Sequence, residues 1–384
     1  MICYFSWIFG KVMRSDLPDD KRVLVRWAEE GDNQSVLELS SRCAQVGMIT
    51  MYPDRSPVFN WIHRLLDPDS FHLVSISQNR AVGLLGTLHT DFYFKDKPVR
   101  TAYFMDFRVD PEFRMGLTAY RMVKRAIEFE RESGTRMALA TLLKSNEAPM
   151  VFTKGRGGFP ASLYLGDNRI FSYIPVRKMK IDGRFTIRQA VDEDIPELVA
   201  LYNRYYSSYR LAPRMSEETF RRYIAEIDGL SIDRFYVACQ GNTIKAVMAA
   251  WDARSIKRFF VTQSNIRVKL ISGLVKFLSL FGKMPEPVRV NQPLRQLTLV
   301  LYAHDDSIRA LAALFRHINN LNIGGEYSLI QVQIHEDDPA NDSLRGLIGI
   351  SVYSEIHFFT DTLQFAREIQ ITPGLIHLEF PNYI

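Results

Sequence analysis

Cysteine is scarce in this 384-residue chain. Only Cys3, Cys43 and Cys239 occur, an odd and scattered set that matches neither a disulfide framework nor a zinc site. A reducing compartment, the cytoplasm, is the expectation. The eight histidines, among them His63, His89, His304 and His335, show no His-x-x-x-His spacing, so no metal is expected. Gly-x-Ser-x-Gly, a Walker loop and Gly-x-Gly-x-x-Gly are absent. Hydrolase, nucleotide-phosphatase and dehydrogenase chemistry therefore have no positive support.

Charge of one sign is also in short supply. A net charge of +5 over the whole chain makes no sustained basic stripe, so nucleic acid is not an expected partner. Long hydrophobic runs are missing too. The apolar opening, residues 1–10, lacks a basic start and is too short to span a bilayer. Polar Arg14-Ser15-Asp16 follows Met13, which offers Met13 as an alternative start to Met1.

What is present is enough for a folded core. At 47% apolar and 384 residues, the chain exceeds what one core usually fills and is expected to form two domains. An internal repeat supports that. Residues 23–32 and 185–194 share Arg26/Arg188, Ala28/Ala190 and Asp32/Asp194 at one constant offset. Both segments read as strand, turn and helix, with Asp194 as the expected N-cap and Pro196 in the first turn. The match continues in two hairpin patterns, Phe71 to Gly86 and Phe235 to Met248, each with apolar runs flanking a short polar turn.

The segment that carries chemistry is Tyr103-Phe-Met-Asp-Phe-Arg-Val-Asp-Pro-Glu-Phe-Arg-Met-Gly-Leu-Thr-Ala-Tyr120. An apolar strand stops at Pro111 and a helix begins soon after. Orphan amides at a helix start, with the positive end of its dipole, favour an anion. The small residues Gly116, Thr118 and Ala119 permit close approach of a pyrophosphate, and Arg114 adds charge beside it.

Val109-Asp-Pro-Glu-Phe-Arg114 and its helix resemble the acyl-CoA signature of the GCN5-related N-acetyltransferase superfamily. Residues 136–143 resemble the fifth strand of that family, followed by Asn146 and by Phe152 to Phe159. The resemblance implies an α/β, mixed α+β fold of two tandem acyl-CoA N-acyltransferase-like domains, each a mixed central sheet flanked by helices. Their expected extents are 23–182 and 183–384, after an extension over 1–22. It implies an acyl-CoA-dependent N-acyltransferase, most simply an N-acetyltransferase, using acetyl-CoA or another acyl-CoA on the amine of a small molecule, peptide or protein. Phe107, Arg108, Val109, Arg114, Met115, Gly116, Leu117, Thr118, Ala119, Asn146 and Phe152 would bind the cofactor. Asp106 is the leading general base, with Glu112 second, and Tyr164 or water the acid. The sequence departs from the family pattern twice: Leu117 stands where a central glycine belongs, and Thr153 where many members carry a tyrosine. These departures keep open a catalytically silent acyl-CoA-binding or interaction protein.

The second domain lacks the signature. Leu297 to Tyr302 runs into Ala303-His-Asp-Asp-Ser307, whose carboxylates are expected to cap a helix and repel a phosphate. This domain is expected to buttress the first or to shape the acceptor pocket. Residues 265–281 are apolar and basic together, a pattern open to membrane-surface contact or a channel for a long acyl chain. The apolar residues surround nearly the whole helix, which favours a third reading, a helix covering a core with Lys269 and Lys276 reaching outward.

Overall fold

The computed structural model describes residues 23–146, 149–155 and 162–378. The expected 1–22 extension with Met13, and the 156–161 stretch with Gly158-Phe159, lie outside the described residues. The first half runs β1 (Leu24–Trp27), α1 (Asn33–Arg42), β2 (Ile49–Asp54), α2 (Trp61–Leu66), β3 (Phe71–Ser77), β4 (Arg80–Phe94), β5 (Lys97–Val109), α3 (Thr118–Glu132), β6 (Met137–Leu143) and β7 (Ser162–Tyr173). The second half continues with β8 (Thr186–Gln189), α4 (Ile195–Tyr206), β9 (Ala212–Pro213), α5 (Glu217–Glu226), β10 (Phe235–Gln240), β11 (Thr243–Trp251) and β12 (Arg258–Ser264). It ends with α6 (Ile266–Leu278), β13 (Gln292–Pro293), β14 (Gln296–His304), α7 (Ile308–Leu321), β15 (Leu329–His335), β16 (Gly349–Thr360) and α8 (Leu363–Ile371).

Local chemistry sets the frame. The hairpins β3–β4 and β4–β5 close through two-residue turns with both residues at positive φ, Gln78 and Asn79 at 48° and 59°, Lys95 and Asp96 at 48° and 62°. That backbone matches the right-handed twist of the strands it joins. The repeated residues also have a physical reason. Arg26 donates to both carboxylate oxygens of Asp32 at 2.7 and 2.9 Å, and Arg188 does the same to Asp194 at 2.6 and 2.8 Å. Each carboxylate takes one further amide, Glu29 N–H at 2.8 Å or Val191 N–H at 2.9 Å. Ala28 and Ala190 donate their N–H groups to His72 and Phe235 carbonyls, both at 2.8 Å. Asp194 stands at the N-cap position of α4 with Pro196 in the first turn, as expected, but its side chain clamps the strand before the helix and makes no capping hydrogen bond.

The main sheet has 13 strands, in the order β1-β3-β4-β5-β6-β16-β7-β15-β14-β11-β10-β8, with β9 paired to β4. The pairs β5–β6 and β14–β15 are parallel, and the other strand pairs are antiparallel. The order exposes an exchange. The first half's last strand, β7, pairs with β15 of the second half, while the second half's last strand, β16, pairs with β6 of the first. The 182/183 boundary therefore divides the chain without dividing the sheet. A second sheet also crosses it, with β12 between β2 and β13. One apolar cluster joins Leu88, Phe92 and Leu139 of the first half to Ile356, Phe358 and Ile369 of the second. Helices pack on both stretches of sheet, giving a mixed α/β fold with one large mixed sheet.

Candidate active site

The site grows from an interruption of β5. Its register against β4 runs Gly86↔Met105, then Leu84↔Arg108, so Asp106 and Phe107 oppose one residue and form a β-bulge. Asp106 takes φ 55°, a left-handed backbone that aspartate tolerates better than most residues. On the other edge, β5 pairs with β6 only over Ala102↔Ala138, Tyr103↔Leu139 and Phe104↔Ala140. Beyond Phe104 and Ala140 the parallel strands make no ladder, which leaves a wedge between Met105–Val109 and Thr141–Leu143. Phe107 from the bulge meets Phe152 edge to face, with ring centroids 5.8 Å apart.

Helix α3 begins beside this wedge. Gly83 of β4 lets it approach closely, because a Cβ there would meet Met122 Sδ at 2.6 Å. Its N-cap is Leu117, which supplies no side-chain hydrogen bond, and its first intrahelical bond runs from Arg121 N–H to Leu117 C=O at 2.9 Å. The amides of Thr118 and Ala119 thus open the helix without a polar cap. Arg114 is exposed and donates from Nε to the Val109 carbonyl at 3.1 Å, which ties the loop to the strand end. Met115 is 89% exposed, Gly116 is exposed, Leu117 and Ala119 are half-buried and Thr118 is buried. Asn146 is exposed in the turn after β6, its N–H on the Leu143 carbonyl at 2.8 Å.

The second half repeats the geometry and fills it differently. β14 bulges at Leu301 and Tyr302, with Leu301 at φ 51°, and β14–β15 pairing stops after Leu299↔Val332. Here Ser307 caps α7, its hydroxyl accepting Ala310 N–H at 3.3 Å. The expected capping role of Asp305 and Asp306 is corrected accordingly. Asp305 pairs with Lys245 at 2.8 Å, while Asp306 sits at φ 45°. A serine cap and a carboxylate occupy what α3 leaves open.

Asp106 is placed as an ion-pair centre. Its side chain is 5% exposed; Oδ2 accepts from Arg55 Nη1 at 2.7 Å and Oδ1 from Arg108 Nη2 at 2.9 Å. Burial opposes its charge, but Arg55 and Arg108 foremost hold the carboxyl far below its ordinary range. Such a group is a weak proton acceptor. Arg108 also donates to Ser40 Oγ at 3.1 Å. Glu112, the second candidate, is exposed and paired with Arg80 at 2.7 Å. Tyr164 is exposed on β7 opposite His357, three strand spacings from β5, or roughly 14 Å. Burial, then Asp167, pushes its hydroxyl pKa up. The fold does not bring Asp106 and Tyr164 together as a base and acid pair.

Sequence reasoning missed the groups beneath the bulge. His63 and His72 contact through Nδ1 and Nε2 at 3.1 Å, and His63 Nε2 lies 3.8 Å from Asp106. Burial, then Arg55, pushes His63 well below its ordinary pKa, and burial takes His72 down to about 4. Lys257, from the second half, is likewise depressed by burial and by Arg55. His63, His72 and Asp106 bring one ligand atom each within 4.8 Å of one another. Arg55 nevertheless holds the shared carboxylate, and an added cation would face Arg55, Arg108 and Lys257. No local spacing advertises this cluster, because its members come from five separate elements and connections.

A small polar cavity lies where the exchanged strands meet the second half's wedge. Tyr209, Tyr302, His335, Asp338 and His377 line it, beside Asn168 of β7. Tyr209 donates to Asp338, and Tyr205 donates to the same carboxylate at 3.2 Å.

No family model matches the sequence, and no curated protein matches it. Solved structures do. The crystal structure of Saccharomyces cerevisiae N-myristoyltransferase with bound myristoyl-CoA is similar at TM-score 0.59 and 13% identity, over 89% of this chain and 84% of that chain. Another crystal structure of that yeast protein with bound myristoyl-CoA gives TM-score 0.57 at 13% identity, over 90% and 80%. A GCN5-related N-acetyltransferase from Anabaena variabilis gives TM-score 0.50 at 9% identity, over 88% and 72%. Together with the paired bulges and wedges, these likenesses establish that the chain has the GCN5-related N-acetyltransferase fold, present twice along its length.

Proposed function

We propose that the protein is an acyl-CoA-dependent N-acyltransferase whose cofactor site is the first half's wedge. The observation that carries this reading is the asymmetry between the halves: the wedge beside α3 is paired with a helix start that has no polar cap, whereas its counterpart beside α7 holds Ser307 and Asp305. Phe107, Arg108, Val109, the 114–119 segment, Asn146 and Phe152 would surround the acyl-CoA, with pyrophosphate at the Thr118 and Ala119 amides. The yeast neighbour's bound myristoyl-CoA adds a long acyl-CoA to acetyl-CoA among the candidate co-substrates.

In the reaction the acceptor amine attacks the thioester carbonyl. A C–N bond forms, the C–S bond breaks, and CoA leaves as the thiol with the proton the amine gives up. Placement of the two reactants would supply much of the rate, with main-chain groups of the bulge available to the developing oxyanion. Asp106 then serves as a positioning residue that fixes the bulge. The buried free thiols of Cys43 and Cys239 agree with a reducing, cytoplasmic setting.

The second reading is a silent acyl-CoA binder. It draws on the clamped Asp106 and on Thr153, whose hydroxyl is spent on the Met150 carbonyl at 2.8 Å. Calorimetric titration with acetyl-, octanoyl- and myristoyl-CoA tests the shared claim: at least one binds, and Gly116→Asp weakens it by about tenfold or more through charge repulsion. A Cβ at Gly116 meets only the Phe113 carbonyl at 3.6 Å, so the fold should survive. Absence of binding to every acyl-CoA rejects both readings. Release of CoA thiol with pooled amines selects the enzyme, and binding without release selects the silent protein.

A further inference from the structure

Helix α6 leaves the body of the protein with its apolar side outward. Asn265 caps it, accepting Val268 N–H at 3.0 Å, and its own N–H bonds the Met48 carbonyl at 2.9 Å. Val268, Ser272 and Val275, spaced i, i+4 and i+7, form the inward side, and among α6 residues only Val275 is buried. This corrects the expected helix covering a core. Ile266, Leu270, Leu274, Phe277 and Phe281 are between 57% and 76% exposed. At 100° per residue they fall within an arc of roughly 80°. Ile271 and Leu278 extend that arc, and Val46, in the loop that anchors the helix start, is exposed nearby.

Charge identifies the occupant. Arg267, Lys269, Lys276 and Lys283 accompany the apolar arc, and no acidic residue occurs from 265 to 285. A second copy of this chain packed on the same face would bring these cations together. An anionic surface would neutralise them while the apolar arc leaves water. We propose that α6 docks the protein on an anionic lipid bilayer, lying in the interface plane with Leu270, Leu274 and Phe277 among the upper acyl chains. Among the described residues no helix is long and apolar enough to cross a membrane, and this mode needs none. The inference does not depend on the acyltransferase reading.

The test is flotation of the full chain with phosphatidylcholine vesicles, with and without phosphatidylserine, and light-scattering mass in parallel. Leu270→Ser/Phe277→Ser alters exposed positions only, and circular dichroism checks that each variant is folded. The expected result is co-flotation with phosphatidylserine vesicles, weakened by added salt, and lost in the Leu270→Ser/Phe277→Ser variant. Lys269→Glu/Lys276→Glu should weaken it roughly tenfold or more, since each cation near such a surface contributes on the order of 1 kcal/mol. The proposal is overturned by no flotation, by equal binding to neutral vesicles, or by flotation that both variants retain. A dimer that the serine variant makes monomeric, without flotation of the parent, would overturn it in favour of self-association.

Discussion

His89 sits between two carboxylates, its Nδ1 3.0 Å from Asp67 and its Nε2 3.1 Å from Glu130, all three side chains buried. Burial alone would lower its pKa, but hydrogen bonds to Asp67 and Glu130 outweigh it and raise the value to about 9. The unfolded ring titrates near 6.5. The protonated form therefore contributes fully to stability below about pH 6.5, and that contribution is lost as pH rises through about 9. Comparing the parent with His89→Gln by urea unfolding isolates the effect: the gap between them should shrink by on the order of 3 kcal/mol from pH 6 to pH 10. A gap that stays constant with pH would refute a charged His89. Asp106 makes a second expectation at this scale. Asp106→Asn keeps a residue that accepts the left-handed backbone but removes the buried charge that Arg55, itself 5% exposed, and Arg108 pair with, so stability should fall by about 3–5 kcal/mol. Its pKa lies far too low for a base working near neutrality. The variant's remaining transfer activity should thus keep the parent's pH profile; a normal melt with a lost acidic limb would return Asp106 to catalysis.

Elements whose partners are near in sequence were legible before the fold was known. The β3–β4 hairpin announces itself by two apolar runs around Gln78 and Asn79, and β5 by its apolar run ending at Pro111. The repeated arginine and aspartate were visible as a match, although their chemistry, a carboxylate clamping the preceding strand, needed atomic positions. Helix α3 was placed, and its start at Thr118 agrees with the small residues there. At two helix starts the expected carboxylate caps are not made, for one reason, although Asp194 does stand at the N-cap position with Pro196 in the first turn. Asp194 and the Asp305-Asp306 pair have the right composition for caps, yet a carboxylate goes where a cation waits, at Arg188 and Lys245. Helix α6 failed on another ground. An apolar pattern on nearly every side reads as burial, and sequence periodicity carries no record of whether anything covers the outer side. The candidate site divides in the same way: the 107–119 segment is contiguous and can be proposed from sequence, whereas Arg55, His63, His72 and Lys257 converge on Asp106 from distant parts of the chain.

The exchange of β7 and β16 is a property of the whole chain and has no local signature. Ser162 to Tyr173 reads as a strand, but nothing in its composition says that its neighbours will be β15 and β16. Register repeats the lesson on a finer scale: Gly166, at φ 119°, stands where a Cβ would strike the His335 ring of β15, so the strand is shaped for a partner from the other half. Stability follows from this topology. Without residues 183–384, β6 loses its pairing over Met137 to Leu143, and Leu88, Phe92 and Leu139 lose Ile356, Phe358 and Ile369 from their cluster. Without residues 1–182, β15 loses β7 and β12 loses β2. Buried apolar side chains left in water in this way cost roughly 1.5–3 kcal/mol each, so a handful exceeds the net stability of a typical domain. Neither half expressed alone should therefore give a monomer with a cooperative melt. Co-expression of 1–182 with 183–384 should recover a one-to-one complex that unfolds in one transition, as the intact chain does. Size-exclusion chromatography with thermal unfolding decides the matter, because a monomeric 1–182 that melts cooperatively would show that the exchanged strands are additions to independent domains, not the seam that makes them one.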